Sequence, residues 1–132
     1  MGLFITFEGI EGCGKSTQVR LLSEALNDKG IPCIVTREPG GTSIGGKIRE
    51  ILLNPDHKGM APEAELLLYA ADRAQHLREL IRPALNEGRV VVCDRFTDAT
   101  VAYQGFGRKL DESLINELIE IASLGIKPDL TI

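Results

Sequence analysis

EGIEGCGKST, residues 8–17, fits the pattern G-x-x-x-x-G-K-[ST] from Gly9 to Ser16 without exception. Just upstream, Leu3 to Phe7 is a short, apolar, β-rich run. Downstream, Val19, Leu22 and Leu26 recur at helical spacing, with Leu21 and Ala25 beside them. Strand, glycine loop and helix, in that order, form the setting in which this pattern binds phosphate. Glycines reach positive φ and let backbone N–H groups turn inward around phosphate oxygens, while the helix start adds partial positive charge. Lys15 then reaches β- and γ-phosphates, and the Ser16 hydroxyl can ligate magnesium. Gly9, Ile10, Glu11, Gly12, Cys13, Gly14, Lys15, Ser16 and Thr17 are therefore the expected nucleotide-binding set.

The rest of the chain extends this unit. Gly30 closes the first helix, and Ile31 to Thr36 reads as a second strand. Gly40, Gly41, Gly45 and Gly46 mark a loop and a weakened helix start before Ile48 to Leu53, and Asn54-Pro55 breaks the chain. Pro62 suits the first turn of a long helix, with Leu66, Ala70, Ala74, Leu77 and Ile81 on one face; Pro83 should kink or end it. Gly88 precedes a third strand, Arg89 to Cys93. Helices are expected from about Thr97 to Tyr103 and over Leu114, Leu118, Ile121 and Ala122. Pro128 to Ile132 opens a fourth strand. Strand alternating with helix predicts an α/β fold of the P-loop NTPase type, a parallel sheet with helices on both faces, in one domain over residues 1–132. Because the chain stops a few residues into the fourth strand, this core is expected to be incomplete.

Composition narrows the function. Charged residues are 26% of the 132, mixed in sign, with a formal net charge of −4. That balance argues against general nucleic-acid binding, which needs a surplus of Lys and Arg. Three cysteines are an odd count without metal spacing. Cys33 and Cys93 lie in apolar runs and read as reduced core thiols, and Cys13 as a small loop residue. No charged-then-apolar leader and no apolar stretch near 18 residues appears, so the reading is cytoplasmic, without membrane contact.

Each predicted strand delivers charge to one edge. Glu11 follows the first, Arg37 and Glu38 the second, Asp94 and Arg95 the third. In a parallel sheet that edge is where ligands bind. Either the arginines pair with their acidic neighbours at the surface, or they hold more phosphate than one loop can. Two such pairs beside a phosphate loop favour the second reading, phosphoryl transfer to a phosphate-bearing acceptor. Arg95 is then the candidate bridge between donor and acceptor phosphates, and Asp94 a magnesium ligand, direct or through water. Tyr69 and Arg73, four apart on the long helix, share a face. They form either a base-recognition pair or a core-edge tyrosine beside a surface arginine paired with Asp72. Thr100, Tyr103 and Gln104, at i, i+3 and i+4, make a second polar face.

Five segments, FEGIEGCGKST, TREPGGTSIGGKIR, LYAADRAQH, DRFTDATVAYQG and KPDLTI, resemble in order and sequence the bacterial thymidylate kinases. REPGGT followed by DR-x(7)-YQG is the specific part. The resemblance implies transfer of the γ-phosphoryl group of ATP to thymidine monophosphate, with magnesium, in a homodimer. It places Glu11 near the acceptor sugar and metal, and Glu38 and Arg49 along the acceptor side. By the same resemblance Tyr69 is expected to stack on thymine, Arg73 to bond its carbonyl edge, and Arg95 to take the acceptor phosphate. Thr100 and Gln104 match residues that bond the base, and Tyr103 matches the aromatic residue that crowds the sugar 2′ position. Gly12 stands where some members carry an arginine; such members supply catalytic arginines from a lid further along. The rival readings are another small-molecule P-loop kinase, a nucleotide-binding fragment without catalysis, and a P-loop ATPase or GTPase switch. Against the switch, the chain has no N-K-x-D run.

Overall fold

The computed structural model describes residues 2–8, 14–54, 56, 59–95 and 112–132. Four strands, β1 (Leu3–Glu8), β2 (Cys33–Glu38), β3 (Val90–Arg95) and β4 (Leu130–Thr131), form one sheet in the order β2-β3-β1-β4. All described pairings are parallel. Parallel neighbours need crossover connections, which here are helical. They are α1 (Lys15–Asp28), α2 (Ser43–Leu53), α3 (Pro62–His76), α4 (Arg82–Asn86) and α5 (Glu112–Ala122).

Side chains alternate across the pleat, and the central strands β1 and β3 are buried on both faces, which is why they read as near-unbroken apolar runs. Ile5, Phe7, Val90 and Val92 face α1, packing on Val19, Leu22 and Leu26. Phe4, Val91 and Cys93 face the opposite layer, against Leu77, Ile81, Ala84 and Leu85. The expected stripe on the long helix thus serves the core at Leu66, Leu77 and Ile81. Cys93 is a fully buried core thiol, whereas Cys33 is only half-buried. Burial raises the Cys33 thiol pKa, so it rests protonated.

The structure refines the sequence expectations at three points. The sequence predicts a kink or an end at Pro83, and the helix does not end there. A wide π-type turn at Leu77–Ile81 joins α3 to α4, and Pro83 lies in the first turn of α4. A proline ring clashes with the carbonyl four residues back and brings no N–H, and the widened turn just before it absorbs both defects. Next, the weakened helix start expected before Ile48 falls at Ser43, where α2 begins. The Thr42 hydroxyl accepts the Gly45 N–H at 2.9 Å, a cap that offsets the two glycines of the first turn. Finally, β2 and β3 each run two residues further than predicted, so Arg37, Glu38, Asp94 and Arg95 are strand residues. The helix expected over 97–103 lies outside the described residues.

Candidate active site

The carboxyl ends of β1, β2 and β3 lie in register. Phe7 and Arg37 flank Asp94, and Glu8 and Glu38 flank Arg95. Beyond β1, Gly14 takes φ 87°, a left-handed conformation natural to glycine, and caps α1 without side-chain help. Lys15 follows at the head of α1. Its aliphatic stem is buried and its Nζ lies 2.6 Å from Asp94 Oδ1, with 3% and 26% of the two side chains exposed. Ser16 and Thr17, the next residues of α1, are exposed. A cleft of about 420 Å³ opens here, lined by Ser16, Thr36, Arg37, Gly40, Gly41 and Asp94 among others. Helix start, lysine, hydroxyl and carboxylate thus lie at one end of the sheet.

The second half of the cleft is built by the turn after β2. Glu38 is buried and its carboxylate is held at both oxygens. Arg73 Nε donates to Oε1 at 2.9 Å, and His76 Nδ1 lies 2.8 Å from Oε2. The other ring nitrogen, Nε2, lies 2.6 Å from the Thr36 hydroxyl. Asp72, one helical turn before His76, accepts the Gly40 N–H at 3.0 Å, and Arg49 donates to the Pro39 carbonyl at 2.9 Å. The turn is therefore tied to α3 by Glu38 and Gly40 and to α2 by Arg49. Glycine is required where it packs: a Cβ on Gly41 would run into the His76 ring and the Arg37 carbonyl, and one on Gly45 into Asp72 Oδ1. Burial raises the Asp72 pKa from the ordinary 3.8 to about 6, and the nearby Glu38 charge adds to it, although the Gly40 N–H opposes the rise.

The structure thus brings Lys15, Ser16 and Asp94 together, and Glu38, Arg49 and Arg73 together around the neighbouring turn. Among the described contacts Glu38 pairs with Arg73 and His76, and Asp94 with Lys15, in place of the sequence neighbours expected at the surface. Tyr69 lies half-buried one turn before Arg73 on α3. The Arg95 backbone occupies the sheet edge, but its side chain lies outside the described part. So do Gly9, Ile10, Glu11, Gly12, Cys13, Thr100, Tyr103 and Gln104. Sequence reasoning missed Thr36, Asp72 and His76 as a support. The signal was present in Asp72 and His76, two polar residues four apart on one helix.

A family model described as thymidylate kinase matches residues 7–132. The thymidylate kinase of Geotalea uraniireducens (strain Rf4) is 58% identical over 132 residues, which cover 100% of this chain and 62% of that protein. That of Geotalea daltonii is 60% identical over the same shares. Among solved structures, a thymidylate kinase from Ehrlichia chaffeensis superposes with a TM-score of 0.87 at 42% identity, over 98% of this chain and 72% of that one. The chain thus spans about three-fifths of the length of these curated relatives.

Proposed function

The chain belongs to the thymidylate kinase family, and from that premise we propose that the full-length protein transfers the γ-phosphoryl group of ATP to thymidine monophosphate, giving thymidine diphosphate and ADP. The observation that carries this reading is a cleft lined by Ser16 at the head of α1, by Asp94, which pairs with Lys15, and by Gly40 and Gly41 of the turn anchored on α3.

In this reading Gly9 to Thr17 hold the ATP phosphates, with Lys15 on the β/γ pair. The Ser16 hydroxyl and the Asp94 carboxylate are hard oxygen donors on one cleft, the type magnesium takes. Magnesium there would neutralise phosphate charge. Lys15 exchanges Asp94 for phosphate when nucleotide enters, so the cation is stored at its working position. Glu38, Arg49, Tyr69 and Arg73 form the acceptor side, with Arg95 on the acceptor phosphate and Glu11, Thr100, Tyr103 and Gln104 around sugar and base. Catalysis then consists of positioning and of spreading positive charge over the transferring group. We further place the protein in the cytoplasm, as a homodimer. Leu67 on α3 and Ile121 on α5 are more than half exposed although the two helices pack together, an apolar face that a second subunit would cover. Among the described residues no helix is long and apolar enough to cross a membrane.

A coupled assay of ADP release, with and without thymidine monophosphate, tests the proposal on protein whose intact mass has been measured. The expected result is release that requires the acceptor and prefers thymidylate to purine monophosphates. Equal release without an acceptor would replace it with the hydrolytic switch.

A further inference from the structure

Both hydrogen-bonding atoms of the His76 ring are committed inside the protein, and the ring is fully buried. The Glu38 carboxylate offers only lone pairs, so the nitrogen facing it, Nδ1, carries a proton. The Thr36 hydroxyl is placed to satisfy Nε2. On its other oxygen the same carboxylate takes Arg73 Nε. A guanidinium is planar, and engaging Nε fixes the plane in which its two terminal nitrogens lie. Orientation therefore runs from Thr36 through His76 and Glu38 to Arg73. Glu38, His76 and Cys93 also bring potential metal-ligand atoms within 4.8 Å of one another. The histidine nitrogens and carboxylate oxygens already have protein partners, however, so the cluster reads as a relay and not as a metal centre.

We infer that His76 is a positioning residue for base recognition: protonated at Nδ1 and steadied by Thr36, it fixes Glu38 so that Glu38 fixes Arg73 against the carbonyl edge of the acceptor base. This rests on the functional reading above and adds a specificity-determining residue to it. Without the His76 bond the buried carboxylate loses the partner that fixes Oε2. It then turns or takes up a proton, and a neutral Glu38 holds Arg73 poorly. The loss falls on acceptor recognition. Lys15, Ser16 and Asp94 are not bonded to His76 by any described contact, so ATP handling is spared.

The test compares full-length wild type with His76→Phe, His76→Asn and Thr36→Val. Each is assayed with thymidylate and with 5-methyl-deoxycytidine monophosphate, which carries an amino group in place of the C4 carbonyl. Loss of a hydrogen bond to a charged group predicts that His76→Phe lowers the kcat/KM preference for thymidylate roughly tenfold to a hundredfold, with the ATP KM unchanged within about twofold. His76→Asn, whose amide N–H falls near the Nδ1 position, should restore most of that preference. Thr36→Val should shift it the same way by less, and it carries the test if His76→Phe does not fold. A purely structural histidine would change the melting temperature and leave the preference intact, and that result overturns the inference. So does a ring nitrogen spectrum of the wild type showing Nδ1 unprotonated. A wild type that does not phosphorylate thymidylate at all removes the functional reading first, and this recognition role with it.

Discussion

Replacing Asp72 by asparagine removes a charge from a site that is only 1% exposed while keeping an oxygen for the Gly40 N–H. The native carboxyl titrates near 6 against an ordinary 3.8. A raised carboxyl pKa means that the folded state binds the proton more tightly than the unfolded state. Stability from this group is thus greatest when it is protonated, and it falls as pH rises from about 4 through 6. The full shift corresponds to about 3 kcal/mol at 1.36 kcal/mol per pH unit. The turn beside Asp72 opens on the cleft, and solvent there screens the charge, which brings the expected effect to roughly 1–2 kcal/mol. The assay is urea unfolding of full-length wild type and Asp72→Asn at pH 4, 5, 6, 7 and 8, read as the difference between the two proteins at each pH. Taking that difference cancels other titrating groups that do not touch the site. The wild type should lose stability relative to Asp72→Asn as pH rises, with most of the change between pH 4 and 6.5. Parallel curves across the range would refute the argument, because Asp72 would then pay nothing for its burial.

Two further tests follow. Gly45→Ala and Gly46→Ala sit side by side in the first turn of α2 and should move stability in opposite directions. The first drives a methyl group into Asp72 and costs about 1–3 kcal/mol. The second meets nothing within 4 Å and gains up to about 1 kcal/mol of helix propensity, both read by thermal or urea unfolding. Lys15→Ala should lower kcat by at least ~10²-fold, as removal of one charge-stabilising donor does, with a smaller change in the thymidylate KM measured by initial rates.

The fold was legible because its signals are local. The glycine run after Leu3 to Phe7, the Gly30 and Gly88 stops and the alternating apolar runs name the elements without reference to distant residues. The misread points are those where partners come from elsewhere. The strand ends at Arg37–Glu38 and Asp94–Arg95 look like loop in the sequence because they are charged, yet parallel pairing with a neighbour in register carries them on. At Pro83 the sequence leaves a kink and an end both open, because nothing in it announces the widened turn that absorbs the proline. At the site, Lys15, Ser16 and Asp94 were legible from the loop motif and from their place after a strand. The partners of Glu38 were not. Its sequence neighbour Arg37 is the obvious candidate, but the bonds go to Arg73 and His76, more than 30 residues away on a helix laid across the turn.

The sheet order carries a consequence for biosynthesis. β1 is translated first but has no early partner. Its neighbours are β3, at residues 90–95, and β4, and the Phe4 N–H finds its acceptor on Asp129, 125 residues later. On a ribosome adding about 5–20 residues per second, the segment LFITF waits on the order of ten seconds before the first strand beside it exists. Through that interval an apolar strand with both edges open is attached to a loop with nothing to shape it. The nascent protein is therefore exposed to mispairing at β1, and that segment is what a chaperone acting during synthesis would have to shelter.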